Sequence, residues 1–213
     1  RSRGLGDVYK RQSINDDDIN EVIKVLKSEM ITQGPLVERF EKNICSYTSS
    51  NYSVLTNSAT SALHISCLAL GLSEGDILWT SPNSYVASAN VGLLCNAEVD
   101  FVDIDSETYN MCSTALSMKL RDAEKNGKLP KIVMPVHFAG QSCDMINIKK
   151  LSEKYGFKII EDASHAIGGV YKNTKIGSCK FSDITVFSFH PVKIITTAEA
   201  VSYTHLTLPT TPY

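Results

Sequence analysis

The chain has 213 residues, 43% hydrophobic and 21% charged, an ordinary globular composition with enough length for one large domain. Its 21 basic and 23 acidic side chains leave a net charge of −2, which excludes the basic footprint of a nucleic-acid-binding protein and makes short basic patches solvated faces. No apolar run reaches the roughly 18 residues that a membrane span needs. The N-terminus is basic but lacks the apolar stretch of a signal peptide. The cysteines at positions 45, 67, 95, 112, 143 and 179 form no C-x-x-C pair, so they are expected as buried reduced thiols rather than metal ligands or disulfides. Together these features predict a cytoplasmic protein with no nucleic-acid or membrane partner.

In chain order, Asn15 to Met30 reads as an amphipathic helix. Ile19, Val22, Ile23, Leu26 and Met30 recur at helical spacing, and Asp16, Asp17 and Asp18 occupy the first turn, where the helix dipole favours acids. Gln33-Gly34-Pro35 makes a turn, and helical spacing resumes from Leu36 to Tyr47. Strand and helix then alternate: strand 52–56, helix 58–70, strand 76–80, helix 85–95, strand 99–102, helix 113–126, strand 131–136, helix 144–155 and strand 157–161. A last apolar run, Ile184 to Phe189, stops at Pro191. This order predicts an α/β domain: a mostly parallel sheet with helices on both faces and ligands at the carboxyl ends of its strands.

The two ends read differently. Residues 1–11 carry four basic groups without periodicity, and residues 201–213 are rich in Thr and Pro, with a weak β tendency and no evident strand partner. Both resemble translated adapter read-through. We therefore expect non-native tails at 1–11 and 201–213, with the native segment, an incomplete domain, running from Gln12 to about Ala200.

The informative pair lies late in the chain. Lys193 follows the last apolar run, and Asp162 ends the strand Phe157-Lys-Ile-Ile-Glu-Asp. A lysine just past one strand and an aspartate at the tip of another suit pyridoxal 5′-phosphate (PLP): the amine forms a Schiff base, and the carboxylate keeps the pyridine nitrogen protonated. As an alternative, Asp162 caps a helix and Lys193 is a surface lysine. Against the latter, apolar neighbours and a cationic ring would push the amine toward its reactive free base.

Other motifs fall at the same edge. Asn57-Ser58-Ala59-Thr60-Ser61 sits where a strand hands over to a helix, so its free N–H groups and hydroxyls form an anion site suited to phosphate, or Ser58 or Thr60 simply caps the helix. Tyr85 either stacks on a planar ring or is an ordinary core or surface tyrosine. His165 reaches a cofactor's phenolic oxygen or is a satisfied surface imidazole. Ser188 adds a hydroxyl toward the phosphate. The chain has no Gly-rich fingerprint, which disfavours a P-loop or dinucleotide-binding enzyme.

These residues carry a resemblance. Thr32-Gln-Gly-Pro-Leu-Val-Glu-Arg-Phe-Glu41, Asn57-Ser-Ala-Thr-Ser-Ala-Leu63, Phe101-Val-Asp-Ile-Asp105, Pro135-Val-His-Phe-Ala-Gly140, Glu161-Asp-Ala-Ser-His165 and Phe187-Ser-Phe-His-Pro-Val-Lys193 are similar to motifs of the DegT/DnrJ/EryC1/StrS sugar aminotransferases. The resemblance implies the large domain of the aspartate-aminotransferase-like (type I) PLP fold, with its C-terminal part missing. It implies Lys193 as the Schiff-base lysine and proton shuttle, and Asp162 as the partner of the pyridine nitrogen. His165 would stand at the phenolic oxygen, where many relatives have Gln. Ser58, Ala59, Thr60 and Ser188 would cradle the phosphate, and Tyr85 would stack on the ring. Because Lys193 is present, the dehydratase branch that has histidine there is disfavoured. The reaction implied moves an amino group, from glutamate, to C4 of a nucleotide-linked 4-keto-6-deoxy sugar. The combination of motifs is most similar to the UDP-sugar branch serving pseudaminic acid biosynthesis, with dTDP- or GDP-linked sugars as the alternative. A homodimer is implied for the full-length protein. After Thr197 the family's Glu-Gly-Gly is replaced here by Glu199-Ala200-Val201. An inactive, incomplete fragment is the remaining alternative.

Overall fold

The computed structural model describes residues 14–197 and the strand 201–205, so the tail expected at 1–11 and the last eight residues lie outside the described residues. Helix α1 (Asp16–Leu26) opens with a capping box in which Asn15 and Asp18 bond each other's backbone N–H. It ends four residues before the expected Met30, because the Ser28 hydroxyl donates to the carbonyls of Val25 and Met30 and closes the chain into a turn. Ile19, Val22, Ile23 and Leu26 are all exposed. Helix α2 (Pro35–Thr48) starts on a proline, which suits a first turn whose N–H groups lack helical partners, and ends on Ser49 in the left-handed conformation.

The alternation that follows is β1 (Tyr52–Thr56), α3 (Ala59–Ala69), β2 (Ile77–Thr80), α4 (Ala87–Leu94), β3 (Glu98–Phe101), α5 (Ser113–Lys125), β4 (Ile132–Met134), α6 (Met145–Tyr155), β5 (Lys158–Asp162), the short hairpin β6 (Val170–Tyr171) and β7 (Thr174–Lys175), β8 (Ile184–Ser188) and β9 (Val201–His205). Element bounds follow the sequence reading within a few residues. Strand β4 stops short of Val136 because Pro135 has no N–H to give a ladder; Val136 makes only an isolated bridge to Asp162. The β6–β7 hairpin is new to the structure. Its turn residues, Lys172 and Asn173, both take positive φ (47° and 61°), the arrangement that matches strand twist in a two-residue loop.

One seven-stranded sheet runs in the order β1-β9-β8-β5-β4-β2-β3. Strands β8, β5, β4, β2 and β3 are parallel, and β9 is antiparallel to both β1 and β8. This corrects the expectation that residues from Val201 onward lack a partner: Val201–His205 fills the slot between β1 and β8 and bonds along both edges.

Side-chain alternation splits the core in two. Leu78, Ile132, Met134, Ile160, Ile184 and Val186 meet Ala62, Leu63 and Cys67 of α3 and Val91 of α4 on one face. Their strand neighbours Trp79, Val133 and Ile159 meet Leu116, Leu120, Met145 and Ile148 of α5 and α6 on the other. Strands covered on both faces tend to be apolar, as β4 is throughout and as Ile159 and Ile160 are in β5. Phe187 and Phe189 join Ile44 of α2 in a third cluster. Four of the six cysteines are buried; Cys45 and Cys112 are half-buried. No described helix is long and apolar enough to cross a membrane.

Candidate active site at the carboxyl edge of the sheet

A cleft of about 700 Å³ opens at the carboxyl ends of the parallel strands. Ser58, Ala59, Thr60, Tyr85, Asp162, His165, Ser188 and Lys193 all line it, so the structure brings together every residue singled out from the sequence. They come from five separate stretches of chain. What unites them is the strand direction: each parallel strand delivers the residues that follow it to the same rim.

At one end lies the first turn of α3. Ser58 is the N-cap, and its hydroxyl accepts the Ser61 N–H at 3.2 Å. Capping does not use up the donors an anion would need, since one side-chain oxygen satisfies only part of the free first-turn donors. Ser188, the last residue of β8 and itself buried, faces the same cleft.

Asp162 closes β5 and is only 5% exposed. Its Oδ2 accepts the Ser88 hydroxyl at 2.7 Å, and its Oδ1 accepts the Ser164 hydroxyl at 2.7 Å and the Ser164 N–H at 3.2 Å. Ser88 in turn lies 2.6 Å from Ser84. Hydroxyl donors thus replace the water that the carboxylate loses on burial.

Lys193 sits on the turn after β8, where its N–H donates to the His190 carbonyl at 2.8 Å. Its Nζ stands 2.5 Å from Nε2 of His165. Burial lowers the Lys193 pKa, against the pull of Asp162. Burial also lowers that of His165, helped by the Lys193 charge and opposed by Asp162. Burial thus favours the free, nucleophilic form of the amine, while the carboxylate favours the charged one. Tyr85 precedes α4 at the mouth and is 77% exposed.

Several residues escaped the sequence reading. His137, which lines the cleft, forms a buried pair with Glu161, Nε2 to Oε2 at 2.6 Å. The His137 Nδ1 accepts the Cys143 N–H at 3.2 Å, so the ring proton sits on Nε2 and points at the carboxylate. Burial acts to raise the Glu161 pKa, but His137, Ser182 and Thr185 outweigh it and hold the group below the usual range. The rim loop Phe138–Gly140 hangs from Asn110, whose Oδ1 accepts the Phe138 N–H and whose Nδ2 donates to the carbonyls of Gln141 and Ser142. Gly140 holds φ +88°, and a Cβ there would lie 2.7 Å from the His165 carbonyl oxygen. A signal for Ser88 was available in principle: Ser84 and Ser88 are four residues apart, leading into a mostly apolar helix. Among the described residues no cluster of His, Cys, Asp and Glu could hold a metal ion.

The chain is similar to known proteins along nearly its whole length. It is 41% identical over 192 residues to UDP-4-amino-4,6-dideoxy-N-acetyl-beta-L-altrosamine transaminase of Campylobacter jejuni, covering 90% of this chain and 49% of that protein. Helicobacter pylori PseC, an aminotransferase involved in the biosynthesis of pseudaminic acid, superposes with a TM-score of 0.83 at 30% identity, over 94% of this chain and 52% of PseC. A Streptococcus pneumoniae protein solved in a PLP form gives a TM-score of 0.83 at 31% identity, over 94% of this chain and 53% of its own. The chain thus spans about half the length of the curated relatives it matches. Residues 12–201 match the family directly, and the chain belongs to the DegT/DnrJ/EryC1/StrS aminotransferase family.

Proposed function

We propose that this chain is the cofactor-side half of a PLP-dependent aminotransferase. The reaction is transfer of an amino group from glutamate to C4 of a UDP-linked 4-keto-6-deoxy sugar, on the route to pseudaminic acid. The observation that carries the reading is the convergence of Lys193, the buried Asp162 and the first turn of α3 on one cleft. The donor set fits the cofactor: free helix N–H groups and hydroxyls suit a phosphate, a hydroxyl-supported carboxylate suits a protonated ring nitrogen, and an amine lines the same cleft. PLP, when bound, supplies an electron sink for the carbon that loses its proton.

The chain's own residues do the rest. Ser58, Ala59 and Thr60 at the α3 N-terminus, with Ser188, hold the phosphate. Asp162 holds the proton on the pyridine nitrogen, and Ser88 and Ser164 donate to that carboxylate in its buried place. Tyr85 covers one face of the ring, and His165 stands at the phenolic oxygen. Lys193 anchors the cofactor through Nζ and, once released, takes and returns the substrate proton. Burial lowers its pKa, in the direction that work needs. The likeness to the Campylobacter jejuni and Helicobacter pylori enzymes supports the UDP-sugar substrate. A cytoplasmic homodimer completes the proposal for the full-length protein.

The test is amino transfer by the full-length protein, followed as 2-oxoglutarate release from glutamate. UDP-linked 4-keto-6-deoxy sugar is expected to be turned over, and Lys193→Arg to abolish both turnover and borohydride-trappable PLP. Turnover confined to dTDP- or GDP-linked sugars would overturn the substrate, and trapping that persists in Lys193→Arg would overturn the site.

A further inference from the structure

Three hydroxyl and carboxyl groups make a short chain across the cleft wall. Ser84 precedes α4, Ser88 lies in its first turn, and Asp162 ends β5. The links are 2.6 Å from Ser84 Oγ to Ser88 Oγ and 2.7 Å from Ser88 Oγ to Asp162 Oδ2. Ser88 is 1% exposed, so its bond to the carboxylate does not compete with water. Geometry orders the chain: the carboxylate accepts from Ser88, which leaves the Ser88 oxygen to accept from Ser84.

The same serine ties down the turn that carries Tyr85. Helix α4 has no side-chain N-cap, and Val86 is already helical in conformation. The Ser88 N–H donates to the Tyr85 carbonyl at 3.1 Å, and those of Ala89 and Asn90 to the Val86 carbonyl at 3.2 and 2.9 Å. An uncapped first turn frays readily. Here the bond from Ser88 to a strand-end carboxylate fastens it to the sheet.

We propose that Ser88 is a positioning residue. It locks the turn bearing Tyr85 to Asp162, so that the aromatic side chain and the carboxylate hold a fixed spacing across the cleft. One planar ligand meeting both groups would find them already placed, which lowers the ordering cost of binding. The consequence for PLP rests on the cofactor reading above; the tie itself does not.

The experiment therefore has two arms on the chain as it stands. In the ligand-free chain, amide exchange of Ser88, Ala89 and Asn90 is expected to quicken about tenfold in Ser88→Ala, with α5 and α6 unchanged. In an Asp162→Ala background, where the tie is already cut, Ser88→Ala is expected to add nothing. Unchanged exchange in Ser88→Ala, or equal acceleration in both backgrounds, would overturn the proposal, since a purely local helix effect would ignore Asp162. The second arm titrates PLP by its visible absorption and expects about tenfold weaker binding in Ser88→Ala. Equal affinity of both proteins would remove the proposed consequence for the ligand. Absence of PLP binding by the unsubstituted chain would count against the cofactor reading, while the exchange arm still decides the tie.

Discussion

Lys193 Nζ and His165 Nε2 stand 2.5 Å apart at the rim of the cleft, two basic groups sharing one hydrogen bond. Such closeness is favourable only while at most one of the two is positively charged, so the amine donates and the neutral imidazole accepts. The pair comes from the end of β5 and the end of β8, which are parallel neighbours. Residues 28 apart in sequence therefore meet through strand order alone.

The His165 pKa, lowered by burial and then by Lys193, has a consequence for stability. The unfolded chain takes up a proton on this imidazole near the ordinary value of 6.5, whereas the folded chain does so only at lower pH. Between those points the unfolded state binds more protons, so this group subtracts from stability as pH falls through 6.5. Urea unfolding between pH 7.5 and 5 is expected to show a shallower decline in His165→Gln than in the unsubstituted chain. Parallel declines would show that His165 titrates alike in both states.

Glu161 gives the largest expected stability effect. Its carboxylate is 5% exposed and accepts from His137, Ser182 and Thr185, three groups drawn from two stretches of chain. Removing it leaves a buried imidazole N–H and two hydroxyls without their acceptor. Glu161→Ala is expected to lower the unfolding free energy by about 3–5 kcal/mol. By contrast Lys24→Ala, which breaks the solvent-exposed pair with Glu21, is expected to leave the urea midpoint unchanged.

Gly140 tests the rim loop. Alanine there would have to adopt φ +88° and bring its Cβ to 2.7 Å from the rigid His165 carbonyl. Strain and overlap together are expected to cost about 2–4 kcal/mol, or to be relieved by pushing Phe138–Gly140 off the cleft. Thermal unfolding checks the first outcome, and a weaker PLP titration at unchanged melting temperature would reveal the second.

The α3 N-terminus separates capping from ligand binding. Ser58→Ala loses the bond to the Ser61 N–H and is expected to destabilise the chain by about 1 kcal/mol. Thr60→Val lies within the first turn, past the cap, and is expected to leave stability nearly unchanged. Both substitutions are expected to weaken PLP severalfold while barely affecting pyridoxal, which lacks the phosphate. Equal losses for the two ligands would place the phosphate elsewhere.

Much of this molecule was legible in the residues themselves, because local physics decides those features. Apolar runs and helical spacing located the strands and helices from Tyr52 to Ser188, the β6–β7 hairpin excepted, and the strict alternation implied a mostly parallel sheet whose carboxyl edge gathers Ser58, Tyr85, Asp162 and Lys193. What local pattern could not supply is anything set by contact between distant segments. The Ser88–Asp162 bond joins residues 74 apart, and the His137–Glu161 pair residues 24 apart. A lone serine in an apolar helix, or a histidine after a strand, looks the same whether or not a carboxylate waits across the core. The strand at Val201–His205 shows the same limit: five residues of weak β tendency find two partners only once β1 and β8 leave a strand-wide gap between them. The sequence by itself thus determined the elements, their order and the residues delivered to the rim. Only the tertiary structure decided which buried polar groups pair, because that depends on which side chains lose water together.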